Sequence, residues 1–172
     1  MLLPSRASAQ NRTAAQQVRI MVEPIIALAV VGEPRPLILA ELDIPGDRRV
    51  RDHTSYYDIT TNVEGLQLWV EIDKPMPGGT HLFLSGETTL GEGHGSRDIS
   101  NAVSGVRLVS AIGRGLENGR SLAYEFVVAD GIDVLAIQYR TVTVRLMDPI
   151  TNRSSKATQT IVFGIQSVPV VR

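Results

Sequence analysis

The chain contains no cysteine, and this absence excludes several kinds of site at once. Disulfide frameworks, thiolate zinc sites and cysteine nucleophiles all need a sulfur that this sequence of 172 residues does not have. Aromatic residues make up only 5% of the chain, which leaves few side chains for a sugar-stacking cleft. The longest nearly apolar run, residues 25–31, is far shorter than the roughly 18 residues of a membrane-spanning helix.

An excess of charge of either sign is also missing. The 17 lysine and arginine residues offset 18 aspartate and glutamate residues, for a net charge of −1. Without a basic surplus to attract phosphates or anionic lipid, we expect no nucleic-acid partner and no membrane insertion. A net charge this close to zero leaves little repulsion between copies of the chain, so it permits self-association.

Motifs of the common catalytic and metal sites are absent. The three histidines, His53, His81 and His94, lie in separate predicted segments and lack the short spacings of zinc ligands. No G-x-S-x-G turn or phosphate-binding loop is present. We therefore expect neither an enzyme nor a bound cofactor. Calcium remains a minor alternative because many aspartates lie at predicted turns, and a hydrolase with paired carboxylates is a remote one.

What the chain does contain is apolar–polar alternation with a period of two, which is typical of half-buried strands. It is clearest at Val18, Ile20 and Val22 and at residues 66–72. Further candidate strands cover residues 25–31, 37–42, 56–61, 81–85, 106–112, 122–128, 141–147 and 158–167. We predict an all-β fold, an antiparallel two-sheet β-sandwich (immunoglobulin-like or jelly-roll-like) of roughly eight to ten strands, with a closed barrel as the alternative.

Segments rich in glycine, proline, asparagine and aspartate separate these strands. We predict turns at residues 32–36, 45–47, 75–79, 113–119 and 148–155, and a mobile loop at residues 91–95. Helical structure is plausible only at residues 13–17 and at residues 133–139, where helix and strand stay undecided.

The amino terminus carries a small-x-small motif, Ala7-Ser8-Ala9, of the kind cleaved by signal peptidase. We interpret residues 1–9 as the remnant of a signal peptide or a disordered leader, and residues 10–172 as a single sandwich domain. The protein is then expected to be exported by this signal to the cell surface or the extracellular space. Asn11 and Asn152 fit the N-glycosylation pattern, which is too common by chance to decide anything.

Three segments carry a resemblance to a known group of proteins. They are VRIMV at 18–22, YYDITTN at 56–62 and PMPGGTHL at 75–82. In this order they resemble the opening strand, the Tyr-x-Ile-Thr-Thr-Asn strand and the Met-Pro-x-Gly-Thr turn of secreted prokaryotic surface β-sandwich proteins of the pilin or fibre-subunit type. The resemblance implies a filament of identical subunits that assemble by donor-strand exchange. Residues 10–17 depart from it, because they are polar and lack a donor strand's apolar alternation.

Two terminal segments could supply the donated strand. Its candidate residues are Val18, Ile20 and Val22 near the amino terminus and Ile161, Phe163 and Ile165 near the carboxyl terminus. The second set could equally belong to an interior strand of its own sandwich. The sequence does not decide which end donates.

Trp69, the only tryptophan, alternates onto the polar side of its predicted strand. Either its own chain covers it or it contacts a partner. The rival function is therefore a monomeric extracellular carbohydrate-binding or adhesive module that uses Trp69 and the loop at residues 86–95.

Overall fold

The computed structural model describes residues 17–40 and 48–166 and consists of two β-sheets packed face to face. The described residues form eleven strands, of which β6 and β7 contain two residues each. The strands are β1 (Ile26–Val31), β2 (Leu37–Ala40), β3 (Arg49–Thr61), β4 (Leu66–Ile72), β5 (Thr80–Gly86), β6 (Glu92–Gly93), β7 (Arg97–Asp98), β8 (Val106–Ile112), β9 (Gly115–Val128), β10 (Leu135–Met147) and β11 (Ser154–Gln166). A short 3₁₀ turn, Ala102–Ser104, precedes β8. No helix in these ranges is long and apolar enough to cross a membrane.

The first sheet has the strand order β1-β3-β9-β5-β7, and the second has the order β2-β11-β10-β4-β8-β6. Neighbouring strands are antiparallel throughout, except that β2 runs parallel to β11. The predicted two-sheet sandwich is therefore confirmed. Since β1 belongs to one sheet and β2 to the other, the chain changes sheets between Val31 and Leu37.

The core lies between the sheets and follows the predicted alternation. In β4 the side chains of Leu66, Leu68, Val70 and Ile72 are buried, while the residues between them are half-buried. Aromatic rings join the two sheets at the centre, where the Phe126 and Phe163 centroids lie 5.2 Å apart. Apolar burial on both inner faces is the main favourable contribution to such a fold.

Several strands begin earlier than the sequence predicted. Residues 115–119 were predicted to be a turn but belong to β9, where Gly119 adopts a positive φ of 62° and its amide donates to Asp58 Oδ1 over 2.6 Å. A register shift between Tyr57 and Ile59 accommodates this glycine, so it marks a bulge within the ladder. The undecided segment at residues 133–139 becomes a strand from Leu135, and β11 begins at Ser154.

The glycine-rich segment 91–95 is also not the mobile loop that the sequence predicted. Glu92 and Gly93 pair with β8, and the His94 amide donates to the Leu108 carbonyl over 2.9 Å. A Cβ at Gly91 would lie 2.6 Å from the carbonyl oxygen of Ser110, so glycine permits close packing here. Of the other predictions, the turn at 45–47 and residues 13–16 lie outside the described residues, and Gln17 is not helical.

A buried carboxylate holds the loop after β5 against β9. Glu117 is almost completely buried, and its Oε1 accepts hydrogen bonds from the Leu90 amide over 3.1 Å and from the Thr89 hydroxyl over 3.0 Å. The Thr89 amide and the Thr88 hydroxyl donate to the same carboxylate. Such hydrogen bonds offset the cost of burying the charge.

We predict that Glu117→Gln lowers the free energy of unfolding by about 1–3 kcal/mol, because an amide offers one acceptor oxygen in place of two and leaves buried donors without partners. Urea denaturation followed by circular dichroism measures the change. Glu64→Gln is the matched control, since the Glu64–Arg114 ion pair is exposed and contributes about 0–1 kcal/mol. Equal midpoints for the two variants would contradict this role of Glu117.

Candidate assembly site

The segment before β1 exposes apolar side chains that are not covered by the rest of residues 17–40 and 48–166. Residues 17–25 belong to no strand, and the side chains of Val18, Ile20 and Val22 are 72%, 82% and 75% exposed. The sequence predicted a half-buried strand here, and this was wrong. The register of β1 explains this. Its first residue, Ile26, pairs with Thr61, the last residue of β3. Residues before Ile26 therefore extend beyond the end of β3, which is the neighbour of β1 in the described sheet.

Asn62 fixes the base of this N-terminal arm, by which we mean residues 17–25. Its Nδ2 donates to the Glu23 carbonyl over 2.9 Å, and its Oδ1 accepts from the Ile25 amide over 2.7 Å. Pro24 between them disfavours a helical conformation at Glu23. The arm therefore leaves the sandwich from a fixed point. Sequence reasoning missed Asn62, although its position at the end of the resemblance motif was a signal.

A groove lies where the chain crosses from one sheet to the other. It has a volume of about 800 Å³ and is bordered by Val30 and Val31 of β1, by the turn at residues 32–36, and by Thr158, Thr160 and Val162 of β11. β2 pairs with β11 only from Phe163 onward. Among the described residues, no strand forms a backbone ladder with the edge of β11 at residues 154–162, although β1 packs near its start, where the Leu28 amide donates to Ser155 Oγ over 3.1 Å. Beside the groove, at residues 158–162, the backbone groups on this edge are without a ladder partner.

A buried hydrogen-bond network forms the floor of this groove. Gln159 Nε2 donates to the Gly32 carbonyl over 2.7 Å and to Ser55 Oγ over 3.0 Å, while Gln159 Oε1 accepts from the Tyr124 hydroxyl over 2.8 Å. Burial, together with the negative charge of Asp52, raises the pKa of Tyr124, so its hydroxyl remains a donor. The network joins β11, β3, β9 and the crossing turn, and it holds the groove open.

The carboxyl-terminal candidates occupy a different environment. Ile161, Phe163 and Ile165 are buried in the core of their own chain, in a strand flanked by β10 and, from Phe163, by β2. The guanidinium of Arg140 lies 5.2 Å from the Phe163 ring centroid. These residues are part of the core of the chain's own sandwich.

Trp69 lies on the outer face of the second sheet and is half-buried. Its Nε1 donates to Gln67 Oε1 over 2.9 Å, and Gly105 packs against one edge of its ring. Its own chain therefore covers it in part, and the rest of the ring borders a shallow groove. It lies in β4, inside the second sheet, whereas the crossing groove lies beside β1 and β11.

The histidines are not brought together. His81 Nδ1 contacts Asp98 Oδ2 at 3.0 Å, whereas His94 and His53 border separate grooves. Burial opposes ionisation of Asp98, but hydrogen bonds from Ser100 and His81 outweigh it and hold the pKa of this carboxyl below its ordinary value. The described part of the chain contains no group of three or more histidine, aspartate or glutamate side chains suited to hold a metal ion.

No protein-family model matches the chain. No curated protein matches it in sequence. Among solved structures, AggA, the major subunit of aggregative adherence fimbriae type I from Escherichia coli, is 11% identical with a TM-score of 0.38 over 87% of this chain and 100% of that one. The collagen-binding subdomain of Enterococcus faecalis surface protein ACE is 8% identical, with a TM-score of 0.35 over 84% and 99%.

AvmM, which catalyses macrocyclization in alchivemycin A biosynthesis, is 12% identical with a TM-score of 0.39 over 85% of this chain and 91% of that one. Proteins with different roles thus have similarly low structural similarity to this chain. Likenesses at this level do not establish a shared function.

The crossing turn depends on Gly32, and this generates a prediction. Gly32 has a φ of +84°, and a Cβ there would lie 2.2 Å from the Thr54 carbonyl oxygen. We expect Gly32→Ala to lower the free energy of unfolding by about 3 kcal/mol or more, because the strained φ and a backbone clash add together. Gly65→Ala is the matched control: it has a φ of +77° with nothing within 4 Å of its Cβ, and should cost about 1 kcal/mol.

Denaturation midpoints in urea compare the two variants. Equal losses for Gly32→Ala and Gly65→Ala would show that the crossing turn can relax, and the rigidity ascribed to the groove would be wrong.

Proposed function

We propose that this protein is a structural subunit of an extracellular filament or pilus-like surface fibre, in which the N-terminal arm of each copy is donated to the crossing groove of the next. One observation carries the proposal: the described residues include an exposed apolar segment that belongs to no strand, and a strand edge without a ladder partner beside a groove. Strand addition would cover the first and pair the second. The proposal assigns the protein no catalytic role.

The position of the arm favours donation to another copy. Its base is fixed next to Asn62 at the start of β1, whereas the groove borders Val30 and Val31 at the end of that strand. β1 has six residues, which span roughly 20 Å at about 3.3 Å per residue. The arm therefore begins far from its own groove and leads away from β1. A head-to-tail contact of this kind gives a closed ring when the rotation between copies closes and an open fibre when it does not, and the proposal takes the open case.

Burial of the arm's side chains is not enough by itself to offset the free-energy cost of association. Burying a valine or isoleucine side chain completely stabilises by about 1.5–3 kcal/mol, so the three apolar residues of the arm contribute several kcal/mol. Association costs an estimated 4–15 kcal/mol in lost freedom. Backbone pairing along β11 and contacts with Val31 and Val162 must supply the remainder. We therefore expect assembly to depend on protein concentration.

The carboxyl-terminal strand is the less favourable donor. Removing it from the sandwich would expose Ile161, Phe163 and Ile165 and would open the core of the donating subunit. Large-to-small substitutions at core positions of this kind already cost about 2–5 kcal/mol each. The N-terminal arm can be donated without any such loss, because its side chains are already exposed.

A second candidate function is the monomeric extracellular carbohydrate-binding or adhesive module. The observation that favours it is the partly exposed ring of Trp69 beside a groove that also contains His94, Arg97 and Arg107. This function does not need the arm. The two candidate functions therefore differ in one expectation: changes in the arm should alter the oligomeric state of a fibre subunit but not that of a monomeric binding module.

We predict that Ile20→Asp abolishes assembly of the full chain, because it places a charge on the face of the arm that would be buried in the neighbouring copy. Met21→Asp is the matched control. It introduces the same charge at an adjacent side chain that is 79% exposed and alternates to the opposite face. Sedimentation velocity across a concentration series, supported by negative-stain microscopy, compares both variants with the unmodified protein.

The expected outcome is oligomers or fibres from the unmodified chain and from Met21→Asp, and monomers from Ile20→Asp. Circular dichroism should show the same folded sandwich in all three, since neither substituted side chain packs in the core. A well-folded monomer at the highest concentration of the unmodified protein would overturn the proposal. Equal effects of the two substitutions would also overturn it.

A further inference from the structure

The outer face of the second sheet carries a row of like charges around its tryptophan. Arg145 pairs with Lys156 on one side and with Trp69 on the other, and Trp69 pairs with Arg107. Four adjacent strands thus align three cations and one aromatic ring across the sheet. Like charges directly opposite each other destabilise a sheet, so the row is not explained by folding stability.

Only one of these cations has an ion-pair partner nearby. Arg145 contacts the carboxylate of Glu71, its neighbour on the same face. Within the described ranges, neither Arg107 nor the nearby Arg97 forms an ion pair. Their guanidinium groups therefore remain free to bind an anion, and arginine can do so through two parallel hydrogen bonds.

A shallow groove of about 380 Å³ brings these groups together. It is bordered by Trp69, His94, Arg97, Gly105, Val106 and Arg107, and no carboxylate borders it. The elements meet here because β6 and the chain that follows it fold over the edge of β8, next to Trp69 in β4. The residues that border the groove thus combine an aromatic surface with two arginines, and the nearest carboxylate, Glu71, is paired with Arg145.

Gly105 and Gln67 hold the tryptophan ring in place. Gly105 has a φ of +90°, and a Cβ there would approach Trp69 Cε3 to 3.4 Å and Glu71 Cγ to 3.3 Å. Gln67 accepts the indole N–H, so the polar edge of the ring is already satisfied. What the ring offers to a ligand is its apolar face.

Two buried nitrogen atoms lack hydrogen-bond partners here: one on His94, which borders the groove, and one on Arg145, which is paired with Trp69 across the sheet. His94 Nε2 and Arg145 Nε are two of only four such side-chain atoms in the part of the chain that the structure describes. Unsatisfied buried polar atoms are rare in native proteins, and a missing bound group is one reason for them. They lie next to the ring and to the free arginines.

We propose that this groove binds an acidic saccharide, with a sugar ring against the face of Trp69 and a carboxylate or sulfate group held by Arg97 and Arg107. The sugar chemistry follows from a fixed, partly exposed aromatic face, and the acidic group from two guanidinium ions that form no ion pair within the described ranges. The nearby carboxylate of Glu71 is itself paired with Arg145. The site lies away from the crossing groove and does not depend on assembly. It would allow a fibre, or a single subunit, to adhere to an acidic glycan.

The single tryptophan makes the test specific, since fluorescence excited selectively at tryptophan comes from Trp69, which borders this groove. The full-length protein is titrated with heparin oligosaccharides, polygalacturonate oligosaccharides, neutral maltooligosaccharides and sodium sulfate while tryptophan fluorescence is recorded. We expect a saturable change in emission with one or both acidic saccharides, weakened by added salt. Neutral sugars and sulfate at the same concentrations should leave the emission unchanged. The difference between the two acidic probes identifies the acidic group.

Charge-matched variants distinguish this site from general attraction. Arg97→Gln with Arg107→Gln should weaken binding about tenfold or more, because two charge-assisted contacts are lost. Arg114→Gln with Arg153→Gln removes the same charge elsewhere and should change the affinity less than twofold. Equal losses in both pairs would overturn the proposal in favour of non-specific attraction. Three other results would also overturn it. They are displacement of the acidic saccharide by sulfate at the same concentration, equal binding of neutral sugars, and no change in emission with any probe.

Discussion

The crossing of the chain between the two sheets determines the form of the candidate assembly site. β1 is held in the first sheet by β3, and β2 is held in the second by β11, so residues 32–36 must span the open side of the sandwich. Gly32 makes this possible, because no other residue tolerates both its φ and the approach of Thr54. The consequence is a gap beside β11 that neither β1 nor β2 fills.

The N-terminal arm is the counterpart of that gap. Its three alternating apolar side chains are those of a strand, but the sheet that could receive it ends at Thr61. The clamp at Asn62 directs the arm away from the body and keeps its exit point fixed. An exposed apolar segment and an edge without a ladder partner each carry a cost in water, and the proposed association between copies would relieve both.

The sequence predicted strands correctly where apolar–polar alternation coincided with a neighbouring strand and a core to pack against. Residues 66–72 alternate and form β4, because a strand lies on either side and the core beneath it. Val18, Ile20 and Val22 alternate just as clearly but have no partner, and alternation does not reveal whether a partner strand exists. Glycines caused a second kind of error: Gly115 and Gly119 were predicted to be turn residues, but Gly115 pairs with Thr61 and Gly119 lies at a bulge within β9.

The groove around Trp69 could also not be predicted from the sequence as a whole. The exposure of the tryptophan followed from alternation, whereas His94, Arg97 and Arg107 come from three separate segments that only the folded sheet order brings together. Register across four strands set the row of cations, and register over such distances depends on the whole core.

The most direct test of strand donation uses the absence of cysteine, because any disulfide must then come from introduced residues. Met21→Cys in one preparation is mixed with Thr158→Cys, Thr160→Cys or Val162→Cys in another, and mild oxidation is followed by non-reducing electrophoresis. Ile150→Cys, at a turn residue that is 87% exposed, is the control partner. Strand donation predicts a linked pair for at least one groove position and none for Ile150→Cys. No linkage at any groove position, or equal linkage at the control, would contradict it.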